Sequence, residues 1–259
     1  MHRCYVNPAN WNESDLFLSA EEEHHLLHVL RAKAGDTVAV FDGKGSEATA
    51  EIRMDGAPGK THRVVLRILG VGKSRHPGLS LTLIQALPKG KRMDLIVEKA
   101  VELGVTDIIP VITERTIVRL DADARKERGE RWQRLALSAS RQCGTSWVPD
   151  VRSVCDYSEA MRNCREFDLL LVGSLGDDAR PLHDVLNEAR RKTKAALIIG
   201  PEGDLTSAEI KEAMDAGAVP VSFGQLVLRV ETAALYGLSV LNYELRENIH
   251  PLLMLSQLD

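Results

Sequence analysis

The stretch Ala195-Ala-Leu-Ile-Ile-Gly-Pro-Glu-Gly-Asp-Leu-Thr-Ser-Ala-Glu209 decides the fold class. Its first half is an unbroken apolar run, the signature of a strand covered on both faces rather than one. Gly200 and Pro201 end the run in a tight turn, and Thr206-x-x-Glu209 matches a capping box that opens a helix. A buried strand that passes through a turn into a capped helix is the repeating piece of a parallel α/β sheet, and ligands bind such sheets at the carboxyl ends of the strands. Gly200 and Gly203 permit close backbone approach, and Pro201 stiffens the turn.

The same alternation extends outward in both directions. Upstream lie LSLTLIQAL (79–87), a helix from about Arg92 to Leu103, IIPVI (108–112), a long helix within 122–143, DLLLVGS (168–174) and a helix near 182–191. Downstream lie a helix from about Ser207, VPVSF (219–223) and a final helix after Thr232. In the helix after Lys91, the residues Met93, Ile96, Val97, Ala100 and Val101 share one face and predict a single buried stripe. The first quarter differs. TVAVFD (37–42), EATAEIRM (47–54) and HRVVLRILGVGK (62–73) are short β-rich runs. They are parted by the turn-prone Asp42-Gly-Lys-Gly45 and Asp55-Gly-Ala-Pro-Gly59, and they follow a short helical stretch with Leu26, Leu27, Val29 and Leu30. Such spacing suggests a small barrel, with Ser74-Arg-His-Pro-Gly78 as the linker. The expected division is a β domain at 1–73 and an α/β domain at 74–259.

Composition supports an ordinary globular chain of 259 residues, because 44% hydrophobic and 27% charged residues argue against disorder. No apolar run approaches the ~18 residues of a membrane span, and the start MHRCYVNPANWNES lacks a signal-peptide pattern, so a cytoplasmic location is expected. Cys4, Cys143, Cys155 and Cys164 form no C-x-x-C pair and read as idle thiols. The net charge of −4 hides an asymmetry: residues 73–150 carry 14 basic and 10 acidic side chains, while both flanks are acidic. A local positive field of this kind can draw phosphates to an acidic protein.

His24, His25 and His28 share a helical stretch, but no further ligand stands at a metal-binding spacing, and no metal is expected. No G-x-S-x-G, G-x-G-x-x-G or P-loop occurs. What remains lies near the C-terminus, in the 200–203 turn and in Phe223-Gly-Gln-Leu-Val-Leu-Arg229-Val-Glu231-Thr-Ala-Ala234, where a glycine among apolar residues could wrap a flat ligand. Arg229 and Glu231 stand at its edge, either as an ordinary ion pair or as a catalytic pair. Two such loops at neighbouring strand ends point to one composite pocket.

At these residues the chain resembles the SPOUT-class methyltransferases that modify N3 of a uridine in small-subunit (16S) ribosomal RNA. The resemblance covers nearly the whole chain and rests on joint order and spacing. It takes in His25-Leu-Leu-His-Val-Leu-Arg31 with Gly35-Asp36, Lys89-Gly-Lys-Arg-Met-Asp94, and Lys99-Ala-Val-Glu-Leu-Gly-Val105. It continues through Arg131-Trp132, Gln142-Cys-Gly144, Gly200-Pro-Glu-Gly203, and Leu228-Arg229 with Glu231-Thr-Ala233. The resemblance implies a PUA-like or OB-like barrel that binds RNA, a SPOUT α/β domain with a C-terminal trefoil knot, a homodimer, and S-adenosylmethionine as methyl donor. Donor-binding positions implied are Val172, Gly173, Ser174, Gly200, Pro201, Glu202, Gly203, Phe223, Gly224, Leu226, Leu228, Thr232 and Ala233. Arg31, Lys89, Lys91, Arg92 and Arg141 are the expected RNA contacts. Three positions depart from the family pattern: Asp204 replaces a second glycine, Leu226 replaces a basic residue, and the run Arg141-Gln-Cys-Gly-Thr145 ends in threonine rather than arginine.

The chemistry follows from the acceptor. Uridine N3–H is a weak acid, so methylation there requires a base or stabilisation of the charge that spreads to O2 and O4. Arg229 is the expected charge stabiliser, with Glu231 orienting it or accepting the proton. The alternatives are a catalytically silent RNA-binding assembly factor and a related enzyme that methylates a ribose 2′-hydroxyl.

Overall fold

The computed structural model describes residues 1–12, 14–55, 63–189 and 192–247. By internal packing the chain forms two units, one of residues 1–76 with 140–148 and one of residues 77–139 with the chain from 149 onward.

The first unit contains β1 (Arg3–Tyr5), β2 (Asp15–Phe17), α1 (Ala20–His24) continued by a π-helical turn at His25–Val29, β3 (Thr37–Phe41), β4 (Ser46–Asp55) and β5 (Arg63–Lys73). Its five-stranded mixed sheet has the order β1-β3-β4-β5-β2, with β1 parallel to β3 and the other pairs antiparallel. Alternate residues Val38 and Val40, Ala48, Ala50 and Ile52, and Val64 and Leu66 enter one core with Leu16 and Leu26. A register shift between Thr49 and Ala50 adds curl to the long β4–β5 ribbon. The strands β1 and β2 are too short to show a period in the sequence, which explains why only the three longer runs were legible. The expected turn at 55–59 falls outside the described residues apart from Asp55.

Residues 140–148 join this unit although they follow residue 73 in the chain. The backbone N–H groups of Gly45 and Val148 donate to Ser146 and Gly43 carbonyls at 3.0 Å each. Arg3 donates to Ser146 Oγ at 2.7 Å and to the Thr145 carbonyl at 3.2 Å. Gly45, at φ +93°, lies so close to the Trp147 indole that a Cβ would stand 2.4 Å from it. Glycine is therefore required there on both counts.

In the second unit the elements are β6 (Ser80–Ala86), α2 (Arg92–Glu102), β7 (Asp107–Ile112), α3 (Ala122–Cys143), β8 (Asp150–Val151), β9 (Cys155–Asp156) and α4 (Tyr157–Arg162). They continue with β10 (Leu169–Gly173), β11 (Arg180–Pro181), α5 (Leu182–Glu188), β12 (Lys194–Ile199), α6 (Ser207–Asp215), β13 (Val219–Ser222) and α7 (Val230–Glu247). The last turn of α3, from Ser140, belongs to the first unit. The sheet has the order β11-β13-β10-β12-β6-β7-β8, with β9 also beside β7, and its pairs are parallel.

The continuous apolar run of β12 now has its explanation. Leu197 and Ile199 face a core shared with α2, α3, α5 and α7, while Ala196 and Ile198 face a second core shared with α4 and α6. The α2 stripe Met93, Ile96, Val97, Ala100 and Val101 is buried as expected, and each large member contributes roughly 1.5–3 kcal/mol by leaving water. Two fragments of the sequence motif meet here: Asp94 accepts from Trp132 Nε1 at 3.0 Å and pairs with Arg131, which fastens α3 to α2. Helix α7 lies against β12 closely enough that a Cβ on Gly237 would meet Leu197 Cδ2 at 2.5 Å. That helix begins at Val230, earlier than the sequence expectation, and this places Glu231 in its first turn, where a carboxylate suits the helix dipole.

Candidate functional site

The carboxyl ends of β10, β12 and β13 open into one cleft of about 400 Å³, within the usual range for a small-molecule site. Each loop enters it for a local reason. After β10, Ser174 N–H donates to the Val221 carbonyl at 3.0 Å and Ser174 Oγ accepts from Gly176 N–H at 3.0 Å, so pairing with β13 continues to Ser174 and the chain turns there. After β13, Ser222 Oγ accepts from Gly224 N–H at 3.2 Å, and Gly224 adopts φ +117°, a left-handed value that favours glycine.

After β12, Asp204 N–H donates to the Pro201 carbonyl at 2.9 Å and closes the Gly-Pro-Glu-Gly turn. Asp204 itself sits at φ +62°. That is the physical content of its departure from the family's glycine. Aspartate is among the few residues that tolerate this region, and here its Oδ1 accepts from Leu205 N–H at 2.8 Å. The helix that follows carries the expected capping box: Thr206 Oγ1 accepts from Glu209 N–H at 3.3 Å, and Glu209 Oε2 accepts from Thr206 N–H at 2.9 Å. Such a cap contributes about 1 kcal/mol.

Of the residues singled out in the sequence, Gly173, Ser174, Gly200, Pro201, Glu202, Phe223, Gly224, Leu226, Leu228, Arg229, Glu231 and Ala233 line the cleft, as does Arg92, which the sequence had assigned to RNA. Val172 is fully buried in β10 beneath it, Thr232 is exposed on α7, and Gly203 turns its carbonyl to Arg115 Nη1 at 2.7 Å. The wall also includes Asp204, already marked as a departure from the family pattern, Val227 and Val230 from the quoted 223–234 stretch, and Leu175, Ile199 and Ser222, which the sequence reading did not assign to a site. Ile199 looks like core in any hydropathy pattern, and Leu175 carries no signal at all. At Gly173 a Cβ would stand 3.2 Å from the Phe223 ring, and at Gly200 it would stand 3.1 Å from Leu205, so both strand ends present bare backbone.

The charged part of the cleft differs most from the sequence expectation. Arg229 is exposed, and Glu231 pairs with Arg92, whose Nε lies 3.6 Å from Glu231 Oε2. The other side of the Arg92 guanidinium donates to Glu202 Oε1, which also accepts from the Lys89 backbone N–H at 2.9 Å. Partial burial alone would raise the Glu202 pKa, but the Lys89 N–H, its own backbone and Arg92 outweigh that and hold the carboxyl below its ordinary range. Glu231 Oε2 is buried and accepts no hydrogen bond among the described residues.

The remaining basic residues fall into two groups. Lys89 and Lys91 are exposed on the loop before α2, and Arg31 is exposed in the first unit at φ +55°, where the chain leaves the π-helical turn. Arg141 is mostly buried in the first unit and pairs with Glu22, whose side chain is 5% exposed. Burial drags the guanidinium below its ordinary pKa, the electrostatic cost this ion pair has to offset.

The His24 and His28 rings lie 4.7 Å apart between centroids, tilted by 37°, and among the described residues no group of three or more His, Cys, Asp or Glu is placed to hold a metal. A second cavity beside α4 is lined by Cys155 and Cys164 among others. Burial pushes the Cys164 thiol up to about 11 and the Cys155 thiol upward too, which keeps both protonated and unreactive at neutral pH. Among the described residues no helix is long and apolar enough to cross a membrane.

Comparison with known proteins places these features. A family model described as an RNA methyltransferase domain matches residues 75–242, and one described as an RNA methyltransferase PUA domain matches residues 18–56. Ribosomal RNA small subunit methyltransferase E of Synechocystis is 30% identical over 93% of this chain and 77% of its own length. The protein of that name from Bacillus subtilis is 29% identical over 88% of this chain and 89% of its own. Among solved structures, ribosomal RNA small subunit methyltransferase E of Neisseria gonorrhoeae bound to S-adenosylmethionine superposes with a TM-score of 0.81 at 33% identity. It covers 94% of this chain and 97% of that one. A Legionella pneumophila methyltransferase structure with bound S-adenosylmethionine gives a TM-score of 0.83 at 32% identity, covering 93% of this chain and 96% of that one.

Proposed function

The chain belongs to the RNA methyltransferase family whose domain model spans residues 75–242, and from that membership we propose that it methylates N3 of a uridine in small-subunit ribosomal RNA, with S-adenosylmethionine as donor. The observation that carries the reading is the convergence of three strand-end loops on one cleft that also holds Arg229 and Glu231.

The residues present fit the donor. Bare backbone at Gly173 and Gly200, with the apolar side chains of Ile199, Phe223, Leu226 and Leu228, suits a flat adenosine, and the carboxylates of Glu202 and Glu231 suit a cationic neighbour. Bound there, S-adenosylmethionine supplies a methyl group already activated on sulfur, so the protein's part is alignment and proton management. Glu231, whose side chain lines the cleft, takes the N3 proton. Arg229, on the cleft wall, meets the negative charge that spreads to the uracil oxygens. Arg31, Lys89 and Lys91 offer exposed cations to RNA phosphates. The protein acts in the cytoplasm as a homodimer. The exposed Leu226, Val227 and Tyr236 beside the cleft, at 79%, 76% and 45%, provide the apolar contact.

The test is the product. The full chain, given S-adenosylmethionine and small subunits lacking the modification, should yield N3-methyluridine when the RNA is digested and its nucleosides are weighed. Arg229→Ala should lower kcat by roughly 100-fold, the scale of losing one charge-stabilising donor, while leaving donor affinity nearly intact. A 2′-O-methylated nucleoside would instead assign the ribose chemistry, and RNA binding with no methylated product would assign a silent assembly factor.

A further inference from the structure

We propose that Arg92 is a positioning residue of the methyl-transfer cleft, which holds Glu231 and the Gly-Pro-Glu-Gly turn in place, and is not a phosphate ligand. The proposal rests on the reading above and assigns to one residue of that site a role its place in the sequence does not suggest. In the sequence, Arg92 belongs to the basic run Lys89-Gly-Lys-Arg and looks like its neighbours. In the fold it does not behave like them.

Lys89 and Lys91 are exposed, whereas the first residue of α2 turns into the cleft and engages two carboxylates from separate parts of the chain. Its Nη1 donates to Glu202 Oε1 in the turn after β12, and its Nε lies 3.6 Å from Glu231 Oε2 in the first turn of α7. With two carboxylates against it, the Arg92 charge is answered within the cleft and offers a phosphate less than the exposed Lys89 and Lys91 do. A phosphate that took Nη1 would have to displace Glu202, which is also held by the Lys89 N–H at 2.9 Å.

The same guanidinium therefore ties together the entrance of α2, the turn after β12 and the start of α7. Side-chain exposure falls from 39% for Arg92 to 17% for Glu231, so the inner carboxylate depends on this partner more than a surface group would. The 3.6 Å approach is an ion pair without a hydrogen bond, and Glu231 Oε2, buried beside it, accepts no hydrogen bond among the described residues. Arg92 sets where that oxygen stands and does not consume its acceptor capacity.

A phosphate ligand and a positioning residue leave opposite traces. The experiment measures full-chain variants in two ways: RNA binding as a function of salt, and steady-state methyl transfer at saturating RNA. For Arg92→Ala the expected result is a kcat reduced at least 10-fold, with RNA affinity and its salt slope unchanged. Arg92→Lys, which keeps the charge, should recover part of kcat and leave the slope alone. Glu202→Gln keeps an acceptor for the Lys89 N–H and removes only the charge opposite Arg92, so it guards against a folding artefact. It should lower kcat as well, and the double variant should be no worse than Arg92→Ala alone, because that substitution already removes the contact with Glu202.

A salt slope lowered by about 0.7–0.9, the release expected for one lost phosphate contact, with kcat unchanged at saturation, would overturn the proposal. Additive losses in the double variant would overturn it too. If the unaltered protein transfers no methyl group, the functional reading itself fails, and the salt slope alone still decides whether Arg92 touches RNA.

Discussion

Arg92 and Arg141 look alike in the sequence, each a basic residue within a charged stretch, yet the two units of the molecule use them differently. In the first unit Arg141 meets Glu22 in a nearly closed environment, with side-chain exposures of 19% and 5%. In the second unit Arg92 meets Glu202 and Glu231 on the wall of an open cleft, at 39% exposure. Each guanidinium is taken by carboxylates, but one pairing ties α1 to the end of α3 and the other shapes a site. What distinguishes them is how much water remains, because the penalty for stranding a charge grows steeply with burial.

The comparison breaks most readily at Arg141. Arg141→Ala strands the Glu22 carboxylate, which also accepts from Tyr5 N–H at 3.3 Å. The expected cost is about 3–5 kcal/mol, the usual penalty for removing one partner of a buried pair. Hydrogen exchange followed by mass spectrometry on the full chain should show faster exchange in β3 and β4 and unchanged exchange in β10 and β12. Unchanged protection in β3 and β4 would mean that the pair is as dispensable as a surface contact.

A smaller effect should separate exposed cations from paired ones. Replacing Lys89 and Lys91 together by Ala should reduce the slope of log affinity for RNA against log salt by about 1.4–1.8, at 0.7–0.9 per phosphate, with donor affinity unchanged. Titrations of small-subunit RNA at several salt concentrations would measure it. If the slope held, the RNA surface would have to lie elsewhere.

The smallest effect concerns pH. The Glu202 carboxyl is held below its ordinary pKa of 4.5 in the folded chain. Its contribution is therefore present at neutral pH and is lost as the pH falls from about 4.5 through the lower folded value. Because the side chain is 28% exposed, the loss should stay under about 1 kcal/mol. Denaturant unfolding of the full chain at pH 6 and pH 3 should show a smaller loss of stability on acidification for Glu202→Gln than for the unaltered protein.

How much was legible differs between the scaffold and the site. The parallel sheet, the α2 stripe and the capping box at Thr206 could be read because each is local: burial on two faces suppresses alternation, and a cap spans one helical turn. The glycine turns could be read for the same reason. Asp204 shows the limit of such reading. It departs from the family's glycine in sequence, yet keeps the left-handed backbone and secures it with its own side chain. The short strands β1, β2, β8, β9 and β11 left no pattern because a period needs several residues to show. A trefoil knot entered only through family resemblance, since threading leaves no trace in hydropathy.

The sequence by itself determined which segments become strands and helices, which faces they bury, and where the backbone must turn, because those outcomes depend on neighbours within a few residues. Only the tertiary structure decided which carboxylate answers which arginine. Glu22 and Arg141 are 119 residues apart, and Arg92 and Glu202 are 110 apart. At such separations the loop-closure entropy is met by the cooperative burial of whole cores and not by the pair itself. The charges then pair with whatever that burial brings beside them. This is why residues 140–148 pack with the first unit, and why Arg92 reached the cleft while the lysines beside it stayed in water.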